Sequence, residues 1–270
     1  MVPNKSSMKH AQIYEHQAMN TVFTLCLLEP DPALADKSAL AAIQLLDEIE
    51  NKLSRYIESS DISQINHMKA GESLFISQYA YDCLRLAFDA NRVTGGLFDS
   101  TLGKQIDHLK NKTEGIAPTP FGKLLIDPSR PAVHCEQAGR QIDLGGIGKG
   151  FALDCMKKCL RDWGISAALL SAGASTRLAF GDTGWDIHLE EHPNRKTVHI
   201  KEEAISASGT NRQRAHIFSP QLGTALPENQ KIWLVHESAA LADALSTACI
   251  LMNKEEIKIF TRNYRVFSIL

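Results

Sequence analysis

Residues 237–252, ESAALADALSTACILM, carry a helical pattern that is apolar on almost every side. Such a helix is stable only when other elements enclose it, so the rest of the chain has to build layers around it. Two polar side chains interrupt the run, Asp243 and Thr247, four residues apart and therefore on one face. A helical Thr often bonds back to the carbonyl four residues earlier, and a single Asp can face water. A carboxylate among Leu241, Ala242, Ala244, Leu245, Ala248, Cys249 and Ile250, however, needs a partner. Hard oxygens in an apolar wall suit Mg2+, which takes one or two protein oxygens and fills its octahedron with water and substrate phosphate.

The pattern elsewhere supplies the enclosing elements. NTVFTLCLLEP (20–30) reads as a strand ended by Pro. From Asp36, a plausible N-cap, Leu40, Ile43, Leu46, Ile49 and Leu53 keep the three-and-four spacing of an amphipathic helix. A second helix is expected over 77–91, with Ala80, Leu84, Ala87 and Phe88 inward and Gly95-Gly96 as its stop. Residues 107–131, rich in Lys, Pro, Thr and Gly, read as a long surface connection, and AVHCEQAGRQIDLGG (132–146) as a hairpin. A helix over 149–163 follows, with Leu153, Met156, Leu160 and Trp163 on one face and Gly164 as its stop. SAALLSA, WDIHLEE, TVHIKEEAISA, KIWLVHE and YRVFSIL read as strands. Strands grouped between a few helices, without βαβ alternation, predict an α+β fold. One domain over 19–270 is expected, preceded by an N-terminal extension over 1–18.

Apolar residues at 44% and charged residues at 22% are ordinary for a folded globular protein. A net charge of −2, with both signs interspersed, argues against nucleic acid as a partner. No run reaches the ~18 apolar residues of a membrane helix, and the first residues lack the apolar core of a secretory signal, so a cytoplasmic protein with no membrane span is expected. The six cysteines form no C-x-x-C pair and lie mostly in apolar runs, which reads as reduced and buried.

Chemistry concentrates in QIDLGGIGKGFALD (141–154), where Gly145, Gly146, Gly148 and Lys149 meet at a helix start. Free backbone N–H groups and the helix dipole there suit a phosphate, although a tight turn that only permits close packing fits equally well. It is not a Walker A loop, because Asp143 and Gly150 stand where Gly and Ser/Thr are needed. Nor is it a dinucleotide fingerprint, since Phe151 takes the place of the third Gly. LSRYIESSDISQIN (53–66) offers Tyr56 for stacking on a planar ring, and TGGLFDSTLG (94–103) is a glycine-bounded loop presenting Phe98 and Asp99. His216 precedes a Pro-containing turn, where a structural hydrogen-bonding role is the commoner one.

Taken in order, Met19-Asn20-Thr21, LSRYIESSDISQIN, TGGLFDSTLG, IDLGGIGKGFALD, ISASG, HIFSPQLG and ADALSTA resemble the FAD:protein FMN transferase (ApbE) family from about residue 19 to 252. The resemblance implies an ApbE-like α+β fold that binds FAD with Mg2+ and transfers FMN to a threonine of an acceptor protein, releasing AMP. By motif position it implies FAD contacts at Met19, Tyr56, Leu97, Phe98, Asp99, Asp143, Lys149 and Phe218. It further implies metal ligation by Asp243, Thr247 and the backbone oxygen of Gly146, with Asp243 as the base for the acceptor hydroxyl. A Mg2+-dependent FAD pyrophosphatase and a non-catalytic FAD-binding protein are the alternatives. The chain departs from the family pattern at Asn20, at Gly173-Ala174-Ser175, at Thr210, and at Ser219 and Leu222, positions that bear on acceptor recognition and FAD affinity rather than on the metal pair.

Overall fold

The computed structural model describes residues 11–111, 115, 117–189, 196–209 and 231–269. Strands β1 (Ala11–Ala18) and β2 (Thr21–Leu28) form a hairpin, so the chain is already in the sheet ahead of residue 19. Its two turn residues, Met19 and Asn20, have φ of 49° and 57°. Two left-handed residues match the twist of the flanking strands, and Asn tolerates that conformation.

Helix α1 (Pro32–Leu53) starts earlier than its pattern suggests. Asp31 caps it by accepting from the Ala33 N–H, with Pro32 in the first turn, whereas Asp36 lies one turn inside and accepts from the Tyr14 hydroxyl. Next come α2 (Asp61–Asn66), β3 (Ser73–Phe75) and α3 (Gln78–Val93), the last capped by Ser77 close to the expected bounds. The stretch read as a surface connection holds the end of α4 (Gly103–Lys110) and all of β4 (Lys123–Ile126). The expected 132–146 hairpin is not formed: β5 (Ala132–Gln137) pairs with β3 on one side and β4 on the other. Residues 138–141 make only isolated bridges. A Cβ at Gly139 would come within 2.8 Å of Phe121, so this bend is held against the residues before β4.

Helix α5 (Gly148–Asp162) is followed by β6 (Ala168–Ala172), β7 (Thr176–Phe180) and β8 (Trp185–His188). Trp163 caps α5 and is 43% exposed, so it does not continue the inward face. The run 197–207 is divided into β9 (Thr197–Ile200) and β10 (Ala204–Gly209), with Glu202 between them at φ 54°. The chain ends in β11 (Lys231–His236), α6 (Ala239–Cys249), α7 (Lys254–Phe260) and β12 (Arg265–Ile269).

The main sheet is antiparallel throughout, in the order β1-β2-β6-β7-β10-β11-β12. Alternation along each strand separates two cores. On one face Phe23, Leu25, Leu170, Leu178 and Leu234 pack with Leu46 and Ile49 of α1, Leu84 of α3, Leu153 of α5 and Leu245 of α6. On the other, Trp185, Ile187, Val198 and Ile200 of the β8–β9 hairpin cover Ile205, Trp233 and Val235. This is the expected α+β architecture. Helix α6 is enclosed by α3, α5, β7, β10 and β11, as its all-round apolar pattern requires. Among the described residues, no helix is long and apolar enough to cross a membrane. All six cysteines are free, and burial pushes the Cys155 and Cys249 thiols up to about 12.

Candidate active site

A cleft of about 390 Å3 opens where the β1–β2 turn, the 97–102 loop, the glycine turn before α5, the end of β10 and α6 converge. A second cavity of about 200 Å3 adjoins it and shares Met19, Asn20, Lys110, Asp143, Gly145 and Lys149. Of the residues singled out in the sequence, Met19, Leu97, Phe98, Asp99, Asp143, Gly146, Lys149, Asp243 and Thr247 line the first cleft. Tyr56 lines the second, 67% exposed. Phe218, together with His216, Thr210, Ser219 and Leu222, lies outside the described residues.

Asp243 lines the cleft and is 4% exposed. Its Oδ1 accepts from the Ser206 hydroxyl at 3.2 Å. Among the described residues its Oδ2 has no hydrogen bond, although Lys149 Nζ stands 3.5 Å away at ion-pair distance. A buried carboxylate oxygen without a donor is costly unless a cation completes it. One turn on, Thr247 donates back to the Asp243 carbonyl at 3.1 Å. That bond uses the hydroxyl hydrogen and leaves the oxygen's lone pairs for other partners, so the back-bond and a ligand role are compatible. Ser208 touches the same oxygen at 3.1 Å. A Cβ on Gly146 would come within 3.4 Å of Thr247 Oγ1 and 3.1 Å of Phe98, so glycine lets the turn before α5 close onto α6.

Two features of α5 hold these parts in register. At Gly150 any Cβ would fall 2.1 Å from the Ala239 carbonyl oxygen, so α5 and α6 meet backbone to backbone. One turn later Asp154 accepts from the Ser238 hydroxyl at 2.7 Å and from the Ala239 and Ala240 N–H groups at 2.9 and 3.0 Å. These are free donors of the first turn of α6, which the carboxylate satisfies together with the Ser238 cap. Burial raises the Asp154 carboxyl above its ordinary range, against the lowering effect of these bonds.

Asp143 is held from several sides. Its backbone N–H donates to Ser100, its Oδ1 accepts from the Gly145 N–H at 2.8 Å, and Arg55 Nε lies 3.1 Å from Oδ2. The Asn66 side chain pairs with both backbone groups of the preceding Ile142, at 2.6 and 3.0 Å. Arg55, 7% exposed in its side chain, also pairs with Asp107, while Lys110 reaches to 3.8 Å from Asp143. Burial lowers the Arg55 guanidinium, but Asp143, Tyr56 and Asp107 more than compensate and the net shift is upward. In the 97–102 loop, Phe98 is fixed through Thr94 and Asn91, and Asp99 accepts from Thr101 with Arg140 3.4 Å away.

Arg55, Lys110, Ser206, Ser208 and Asp154 were not singled out from sequence. Arg55 stands inside the quoted LSRY stretch, and Ser206 and Ser208 alternate along β10, a spacing of two that puts both hydroxyls on one strand face.

An antiparallel sheet with a helical layer on one face, and a cleft that gathers a glycine turn, a lysine and a buried Asp–Thr helix face, defines the class of fold. The sequence profile of the ApbE family matches residues 19–268, and the chain belongs to that family. Among its relatives, the FAD:protein FMN transferase of Buchnera aphidicola subsp. Schizaphis graminum is 24% identical over 246 residues, covering 79% of this chain and 72% of the relative. That of Klebsiella pneumoniae is 24% identical over 246 residues, covering 81% and 76%. Among solved structures, the apo flavinyl transferase ApbE of Pseudomonas stutzeri superposes with a TM-score of 0.84 at 20% identity, over 96% of this chain and 91% of the other. The apbe protein of Thermotoga maritima gives 0.82 at 21% identity, over 96% and 94%.

Proposed function

We propose that the chain is a Mg2+-dependent FAD:protein FMN transferase that links FMN through a phosphoester to a threonine of an acceptor protein and releases AMP. The observation that carries the reading is Asp243 Oδ2, a buried carboxylate oxygen without a hydrogen bond among the described residues, beside Lys149 and one turn from Thr247. Among the described residues of the two cavities, Glu50, Asp99, Asp143 and Asp243 oppose only Arg55, Lys110 and Lys149. A cleft with that balance repels a diphosphate unless a cation enters with it. The donors fit one: Asp243, Thr247 and the Gly146 carbonyl are hard oxygens, few enough to leave an octahedral ion room for water and phosphate. When bound, that ion neutralises charge on the diphosphate oxygens.

The chain's own groups then have separate tasks. Met19, Leu97, Phe98 and Tyr56 offer apolar and aromatic surface to the flavin and adenine rings. Asp143 and Asp99, locked by their partners, accept hydrogen bonds from FAD, and Lys149 places a positive charge beside the diphosphate. The acceptor threonine oxygen attacks the FMN phosphorus. The bond from that phosphorus to the bridging oxygen breaks, AMP leaves with the bridging oxygen, and the threonine proton passes to Asp243 Oδ2, which has a second lone pair besides the one it would offer a cation.

The test incubates the protein with FAD and Mg2+, with and without a flavin-acceptor domain, and follows AMP by chromatography and flavin by in-gel fluorescence. AMP together with a fluorescent acceptor, both lost in Asp243→Ala, supports the transferase. AMP without labelled acceptor turns the reading into a pyrophosphatase, and bound FAD without AMP turns it into a binding protein.

A further inference from the structure

We propose that Ser206, backed by Thr176, is a positioning residue that makes Asp243 a one-oxygen ligand and so tunes the site for Mg2+ over Ca2+; this rests on the cation reading above. Ser206 on β10 and Thr176 on β7 stand directly opposite each other across the strand pair, both with no exposed surface. Their hydroxyl oxygens are 3.0 Å apart, and Ser206 Oγ is 3.2 Å from Asp243 Oδ1.

The polarity of this chain of hydroxyls is set by its end. An ionised carboxylate only accepts, so the single Ser206 proton points at Asp243, and Thr176 in turn gives its proton to Ser206. Ser175 Oγ also lies within reach of Thr176 Oγ1, at 3.4 Å, but the Ser206 contact at 3.0 Å is the shorter, and both side chains are fully buried. The consequence falls on the carboxylate. Oδ1 is tied to the sheet, and Oδ2 is left toward Lys149 with no hydrogen bond of its own among the described residues.

A carboxylate held by one oxygen offers the other as a single donor. Mg2+ demands a near-ideal octahedron at short distances and is satisfied by single carboxylate oxygens, whereas Ca2+ accepts longer, irregular shells and often takes both oxygens of one carboxylate. The Thr176–Ser206 pair therefore opposes the two-oxygen geometry that Ca2+ uses. Groups one bond removed from a ligand commonly alter metal affinity by about 10–100-fold when removed.

The experiment titrates the full chain with Mn2+ by electron paramagnetic resonance, with and without FAD, and competes it with Mg2+ and with Ca2+. It uses wild type, Ser206→Ala, Thr176→Val, Thr176→Ser and Asp243→Ala. Thr176→Val keeps the shape of the side chain and removes only the hydroxyl, so it remains informative if Ser206→Ala folds poorly. Ser206→Ala is expected to weaken Mg2+ by about tenfold while holding or improving Ca2+, so the Mg2+/Ca2+ ratio falls. Thr176→Val should move the ratio the same way by a smaller factor, and Thr176→Ser should restore it. Loss of binding in Asp243→Ala with an unchanged ratio in both hydroxyl variants overturns the inference and leaves the cation reading standing. Wild type that binds Mn2+ under neither condition overturns both.

Discussion

Replacing Gly150 by alanine probes the seam between α5 and α6. The new Cβ would lie 2.1 Å from the Ala239 carbonyl oxygen, 2.5 Å from its carbon and 2.7 Å from the Ala240 nitrogen. An ordinary contact is about 3.4 Å or longer, so the helices must part by roughly 1 Å, and because the obstacle is backbone no side-chain rotation relieves it. Overpacking of this kind costs about 1–3 kcal/mol, here about 3 because the contact is with main chain on both sides. For a chain of this size that lowers Tm by about 6–12 °C. The same displacement moves Asp243 and Thr247 away from Lys149 and Gly146, and a misplacement of about 1 Å is enough to lower turnover about a hundredfold. Thermal unfolding read by circular dichroism gives the first quantity, and AMP release from FAD at a temperature where the variant is fully folded gives the second. A variant with the wild-type Tm and wild-type turnover would refute the close helix contact as the feature that registers the site.

Other perturbations test other parts. Asp154 has its folded-state pKa raised above the ordinary carboxylate value, so its contribution to stability grows as pH falls through the raised value and levels off below the ordinary one. The stability of wild type relative to Asp154→Asn should accordingly increase over that acid window in urea titrations, and a flat or falling difference would contradict the burial of the charged form. Arg55→Ala strands Asp143, which is 8% exposed, and should destabilise by about 3 kcal/mol, seen as a lower urea midpoint at unchanged m. Tyr56→Ala removes an exposed ring and its contact with Arg55, and should destabilise by about 1 kcal/mol. Loss of its stacking should weaken FAD binding by about three- to tenfold in flavin-fluorescence titrations.

The elements that were legible in sequence are those with long, uninterrupted periodicity. α3, α5, β2 and α6 were placed to within a few residues because each carries several turns or several alternations of apolar side chains. The misses have local causes. The apolar stripe of α1 is clear only from Leu40 and so points to a start at Asp36, although Asp31-Pro32 is itself a good helix start. β3 has three residues and β4 four, too short for alternation to stand out, and the pattern over 132–146 suggests a hairpin with the following residues although the partners of β5 lie before it in the chain. The site divides the same way. Asp243 and Thr247 are four residues apart on one helix, so their meeting is visible in sequence. The bond from Ser206 to Asp243 spans 37 positions and depends on how β10 lies against α6, and the Arg55–Asp143 pair depends on the fold of two separate turns.

The most direct test of the transferase reading is tandem mass spectrometry of an acceptor domain after incubation with the protein, FAD and Mg2+, with AMP quantified in the same sample. FMN is expected on a threonine hydroxyl, with one AMP for each flavin attached, and neither product when Mg2+ is chelated or Asp243 is replaced by alanine. AMP formed at the same rate without acceptor, or flavin attached equally well by the Asp243→Ala variant, would contradict that reading.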